Sequence, residues 1–248
     1  MNPDLAIIGG TGLYAFPGLE NVRHESVATP FGATSGEIVS GMLAGKRVAF
    51  LARHGEAHTL APHRVNYRAN VWALHHLGAR RMLGVNAVGG ITAKMGPRTL
   101  AVPDQLIDYT HGRLDSFCDV ERAKVEHIDF TEPYGAVLRA ALLAAAERAG
   151  IAVVDGGCYG ATQGPRLETR AEIARLRRDG CDLVGMTGMP EAALARELGV
   201  DYACLALVAN WAAGCADETS ISLPEIFANL ATATAQVPPI VGALLAKE

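Results

Sequence analysis

Short apolar runs alternate along the chain with longer segments of helical periodicity, and glycine, proline or charged residues punctuate the joins. The apolar runs predict strands over residues 5–8, 47–52, 81–85, 105–109, 152–158, 182–185 and 202–209. The helical segments are 66–77, 134–149, 169–178, 190–198 and 223–235. This order predicts one α/β domain over residues 1–248, a mixed, largely parallel sheet with helices on both faces. Helix ends are marked. Gly150 and Gly199 suit positions just past a helix, and Pro190 suits a first helical position. Ser222 and Glu225 have capping-box spacing with Pro224 between them, and Pro238-Pro239 must end the last helix or divide it.

Composition narrows the classes. The 248 residues are 50% hydrophobic with a formal net charge of -4, so neither disorder nor a nucleic-acid partner is expected. Every apolar run is interrupted before the roughly 18 residues that a membrane span needs. The N-terminus opens directly into Leu5-Ala6-Ile7-Ile8 without a basic leader, and a cytoplasmic enzyme is the expectation. Five scattered cysteines lack C-x-x-C spacing, which gives no support to zinc or thiol-redox chemistry and favours small buried apolar roles.

The candidate chemistry lies in glycine-bearing segments at the ends of the predicted strands. They are Gly9-Gly10-Thr11-Gly12, Arg53-His54-Gly55, Asn86-Ala87-Val88-Gly89-Gly90, and Gly185-Met186-Thr187 with Pro190-Glu191. Turns of this kind offer backbone N–H groups and short polar side chains to an anion. Four together suggest one oxyanion site assembled from distant segments. The first also matches the dinucleotide fingerprint G-x-G-x-x-A, but Pro17-Gly18 would break the helix that such a site requires. Thr11 as an anion ligand is the better reading, with a dinucleotide-binding module as the non-enzymatic alternative. His54 and His58 might suggest a metalloprotease helix, but Glu56 sits in the wrong place for H-E-x-x-H and Gly55 weakens a helix. Arg53 after a buried strand suits a bidentate oxyanion contact, to which His54 could add a donor; the alternative is a surface ion pair. Glu168 sits at a helix entrance, where an acid also suits the dipole, and Asn210 ends an apolar strand, where asparagine also serves turns.

In order, Gly-Gly-Thr-Gly-Leu, Arg-His-Gly, Asn-Ala-Val-Gly-Gly, Gly-Pro-Arg-Leu-Glu-Thr and Gly-Met-Thr-Gly-Met-Pro-Glu resemble the trimeric purine nucleoside phosphorylase and methylthioadenosine phosphorylase family. The resemblance runs from Leu5 to about Ala246. It implies a homotrimer that uses inorganic phosphate as co-substrate, without cofactor or metal, to release a free base from an N-ribosyl purine. Thr11, Arg53, His54, Asn86, Ala87 and Thr187 match the phosphate segments, and Met186 matches the methionine beneath the ribose. His58, Asn66 and Tyr67 fall in segments resembling the rim of the site.

The resemblance also bears on substrate. Adenine-specific relatives carry two aspartates where this chain has Asn210 and Ala212, and Glu168 stands where 6-oxopurine phosphorylases have glutamate. A protonated purine N1 suits a carboxylate, whereas the bare N1 of adenine would leave two acceptors facing each other, so a 6-oxopurine is expected. At the other end, Leu223 and Ile226 lie on one helical face where ordinary nucleoside phosphorylases have a histidine, and core packing is their plain alternative. His127 matches a residue that a neighbouring subunit lends to the 5′ pocket of methylthioadenosine enzymes. Together the two ends describe 5′-methylthioinosine. A general inosine and guanosine phosphorylase and a methylthioadenosine phosphorylase remain the alternatives.

Overall fold

A computed structural model describes residues 2–118, 124–216 and 222–246. Eleven strands form one sheet: β1 Leu5–Gly9, β2 Glu20–Glu25, β3 Ile38–Leu43, β4 Lys46–Ala52, β5 Arg81–Gly90, β6 Leu100–Val102, β7 Gln105–Asp108, β8 Val153–Asp155, β9 Cys158–Ala161, β10 Leu183–Gly185 and β11 Asp201–Trp211. The helices are α1 Tyr67–His76, α2 Ala136–Arg148, α3 Arg170–Arg178, α4 Glu191–Glu197, α5 Leu223–Thr234 and α6 Val237–Ala246. The main path runs β2-β3-β4-β1-β5-β10-β9-β7, and β11 lies along β5 and carries β6 and β8. Parallel pairs predominate; the antiparallel ones are β2–β3, β3–β4, β5–β10 and β6–β11.

Alternation along the strands builds two cores. Ala6 and Ile8 face the layer packed by Val71 and Leu74 of α1 and Leu194 of α4. Leu5 and Ile7 face Leu142 of α2, Leu230 of α5 and Ile240 of α6. Both faces of β1 are therefore buried, which explains why its sequence reads as a continuous apolar run rather than an alternating one. A third, smaller cluster around Ile173 and Leu176 of α3 closes the sheet near β10.

Several expectations shift by a residue or more. Pro190 is the cap residue before α4, not its first member. The predicted 152–158 strand is two strands, β8 and β9, separated by Gly156 and Gly157, both at positive φ. The segment 86–90 is the end of strand β5 rather than a turn. The proline pair divides the C-terminal helix, with α5 ending at Thr234 and α6 carrying Pro238 and Pro239 in its first turn. No helix among the described residues is long and apolar enough to cross a membrane.

Candidate active site

The loop after β1, the C-terminal ends of β4, β5, β10 and β11, and the first two turns of α5 enclose a cleft of about 510 Å³. All four glycine-bearing segments reach it, contributing Gly10 and Thr11, His54, Ala87 to Gly89, and Gly185 to Thr187. Glu168, Asn210, Leu223 and Ile226 line it as well. The first glycine segment does not open a helix; the chain passes instead to β2, which removes the structural basis of a dinucleotide site.

Arg53 requires a correction. Its bidentate grip is not open to a ligand: Nε and Nη2 donate to the two carboxylate oxygens of Glu191, each at 2.7 Å. Nη1 donates to the Val85 carbonyl at 3.0 Å, and Nη2 also reaches the Ile8 carbonyl and Asn86 Oδ1. The side chain is 0% exposed and lies behind Gly10, where a Cβ would come within 2.9 Å of Nη1 and 2.6 Å of the Val85 oxygen. The second glycine of the first turn is bare because the guanidinium packs against it. Burial alone would lower the Arg53 pKa, but the Glu191 carboxylate reverses the sign and holds the cation charged. The surface-pair alternative fails too, since Glu191 is equally buried.

Asn86 is likewise fully buried and stands behind the cleft wall. Its Nδ2 donates to Thr187 Oγ1 at 2.8 Å, so it supports a lining residue rather than being one. His54 does line the cleft, but the donor expected of it is engaged elsewhere. Its Nδ1 is 2.8 Å from the Leu60 carbonyl and must carry the proton, leaving Nε2 as an acceptor. Burial, and then the Arg53 charge, push the ring down to about 4 against the raising effect of the Leu60 bond, so it is neutral at pH 7.

At the opposite end, Thr162 Oγ1 donates to Glu168 Oε1 at 2.6 Å, leaving the second carboxylate oxygen to the cleft. Asn210 lies just past a bulge in β11: Val208 pairs with Val88, but Asn210, two residues on, pairs with Gly89. The inserted residue, Ala209, re-aims the last residues of the strand. Asn210 Nδ2 donates to the Trp211 carbonyl at 2.6 Å, which leaves one amide hydrogen and the amide oxygen available. The Ala209 carbonyl accepts from Asn229 Nδ2 of α5 at 3.0 Å, tying the bulge to that helix.

Helix α5 presents Leu223, Ile226, Phe227 and Leu230 to the cleft, a full i, i+3, i+4, i+7 stripe of which sequence reasoning found only the first two. Leu223 is 60% and Phe227 57% exposed at the mouth. Sequence reasoning also missed Arg113, for which no local signal exists. Its guanidinium donates to the carbonyls of Met186, Met189, Thr162 and Gln163, joining the Met186 segment to the one that leads to Glu168.

The remaining expectations divide between the cleft and its surroundings. Asn66 caps α1 and donates to the carbonyls of Phe31 and Ala33. Tyr67 is buried, donating to the Pro62 carbonyl. His58 lines the cleft beside His54, their ring centroids 4.8 Å apart. His127 is exposed and does not line this chain's own cleft. Among the described residues no group of three or more histidines, cysteines or carboxylates is placed to hold a metal ion.

A cleft with hydroxyl and backbone donors at one end, a carboxylate and an amide at the other, and an apolar stripe along one wall is that of a nucleoside-handling enzyme. The model of the phosphorylase superfamily matches residues 4–244, and the chain belongs to that family. It is 60% identical over 240 residues to a protein of Xanthomonas campestris pv. campestris named "probable S-methyl-5'-thioinosine phosphorylase", covering 97% of this chain and 96% of that one. It is 48% identical over 217 residues to the 6-oxopurine nucleoside phosphorylase of Pyrococcus furiosus, covering 86% and 81%. Among solved structures, a methylthioadenosine phosphorylase sourced from an Antarctic soil metagenomic library superposes with a TM-score of 0.92 at 37% identity, covering 99% of this chain and 86% of that one. With these relatives, the chain is an enzyme of the pentosyltransferase class.

Proposed function

We propose that the enzyme phosphorolyses S-methyl-5'-thioinosine, releasing hypoxanthine and 5-methylthioribose 1-phosphate in purine salvage. The observation that carries this reading is one cleft holding Glu168 and Asn210 together with the apolar stripe of α5. The free Glu168 oxygen accepts the N1 proton of a 6-oxopurine, and the free Asn210 amide hydrogen faces its O6 and N7 acceptors. Adenine would set its bare N1 against the carboxylate, an unpaired buried contact that disfavours it. Leu223, Ile226 and Phe227 suit a methylthio group and would leave a 5′-hydroxyl without a partner.

Inorganic phosphate binds at the end formed by Gly10, Thr11, Ala87 and Thr187, opposite the leaving base, and Met186 lies beneath the ribose. His54 Nε2, an acceptor, suits the one hydrogen-bearing oxygen of monohydrogen phosphate. The glycosidic bond breaks early, the ribosyl group takes on oxocarbenium character, and phosphate oxygens stabilise that charge from the opposite face. The protein holds both reactants in line and matches the charge that develops. Asn210 stabilises the departing purine as negative charge grows on its ring, and Glu168 fixes its orientation. No cofactor takes part. A cytoplasmic homotrimer completes the site, with His127 of a neighbouring copy covering the apolar mouth.

The test is a phosphate-dependent base-release assay with inosine, adenosine and their 5′-methylthio analogues. Methylthioinosine should give the highest kcat/KM. Equal values for inosine and methylthioinosine would make the enzyme a general 6-oxopurine phosphorylase, and preferential adenine release would overturn the reading of Glu168 and Asn210.

A further inference from the structure

Behind the phosphate end lies a chain of buried polar groups that starts at a residue outside the cleft lining. Glu191, the first residue of α4, is 0% exposed and accepts from Arg53 and, at 2.7 Å, from the Tyr202 hydroxyl. It fits because β5 carries no side chain at Gly84, where a Cβ would stand 2.1 Å from the Tyr202 oxygen and 2.8 Å from Glu191 Oε1. Arg53 in turn donates to Asn86 Oδ1, and Cys204 Sγ approaches the same oxygen as a weak donor at 3.6 Å. Asn86 Nδ2 then donates to Thr187 Oγ1, and Thr187 lines the cleft.

We infer that Glu191 is a positioning residue which, through Arg53 and Asn86, fixes the hydrogen-bond direction of Thr187 so that its hydroxyl donates into the phosphate end. The direction comes from charge. A carboxylate can only accept and a guanidinium can only donate, so the Asn86 oxygen must face Arg53 and its NH₂ must face Thr187. Turning the amide over would set donor against donor in a buried site. The NH₂ offers Thr187 no acceptor, so the single hydroxyl hydrogen of Thr187 cannot point back at Asn86 and goes to the cleft. An oxyanion ligand is thereby met by a donor whose direction is set before it arrives, with the Arg53 guanidinium kept behind the cleft wall. The inference rests on phosphate occupying that end, as the proposed function requires.

The decisive variant is Asn86→Asp, which keeps shape and the Arg53–Glu191 pair but turns the donor at Thr187 into an acceptor. On the full-length chain, its KM for inorganic phosphate should rise roughly 30-fold or more, with the nucleoside KM within about threefold. Glu191→Gln should raise the phosphate KM by about tenfold in the same selective way. Thr187→Val should match the Asn86→Asp defect, and Thr187→Ser, which restores the hydroxyl, should return to within about threefold of wild type. Calorimetric titration with inorganic phosphate alone should reproduce this order. Asn86→Asp and Thr187→Val that bind phosphate like the wild type, or whose two KM values rise in parallel, would overturn the inference. If Glu191→Gln does not fold, those two variants decide. A wild type that binds phosphate with this variant pattern yet releases no base would refute the proposed function and leave the inference standing.

Discussion

At the end of the cleft proposed above to take phosphate, Arg53, Asn86 and Glu191 are closed off from solvent and every polar contact among them has a fixed direction. The nucleoside end is open: Leu223 and Phe227 stand more than half exposed, and Glu168 and Asn210 each keep unpaired hydrogen-bonding capacity. The phosphate end sits on the central strands β1, β4 and β5, with α4 behind it, where a change disturbs the core. The nucleoside end is carried by a strand bulge, a helix entrance and the first turns of α5, where a change disturbs little else. A ligand of constant chemistry suits the first kind of construction and a ligand that varies among relatives suits the second.

The sharpest way to break that contrast is Arg53→Met. It leaves the Glu191 carboxylate buried without its partner and should cost about 3–5 kcal/mol in chemical denaturation, whereas Leu223→Ala should stay within about 0.5 kcal/mol. Similar losses for the two would mean that the ends are not built differently. Next in size is Asn210→Asp, which should shift relative kcat/KM from the inosine form towards the adenosine form by about 10²-fold at little cost in stability. An unmoved ratio removes Asn210 as a discriminator. Phe227→Ala should lower the preference for methylthioinosine over inosine roughly tenfold, since only the thioether loses apolar cover. The smallest effect concerns His54, whose ring should titrate at about 4 by NMR, with the proton on Nδ1, against an ordinary value of 6.5. Because the folded ring binds its proton more weakly than the unfolded one, its contribution to stability is full above pH 6.5 and fades as pH falls towards 4. A normal titration would show the ring open to water and the phosphate end less closed than its hydrogen bonds indicate.

Much of the frame was legible in the sequence, because buried strands read as apolar runs and glycines mark helix ends. The strands that went unread, β2, β3 and β6, include one that is largely exposed, with Val22 its one apolar residue, and one only three residues long. The convergence of four glycine segments was also legible, but which atoms face the ligand was not. Arg53 after a strand looks the same whether it points at an anion or at a buried acid. What decides is Glu191, 138 residues away and indistinguishable locally from any acid in a first helical turn. Phe227 was within reach, since residues 223, 226, 227 and 230 form a regular helical stripe. Arg113 was not, because most of its targets are backbone carbonyls, which leave no trace in side-chain sequence.

With Asn210 in the role proposed for it, the extra residue in β11 means that base recognition depends on counting as well as on chemistry. Removing Ala209 would keep Asn210 in the protein but restore even pleating, swinging the amide to the other side of the strand. Two homologues with the same asparagine could therefore differ in nucleobase preference through a single deletion that an inspection of side chains alone would overlook.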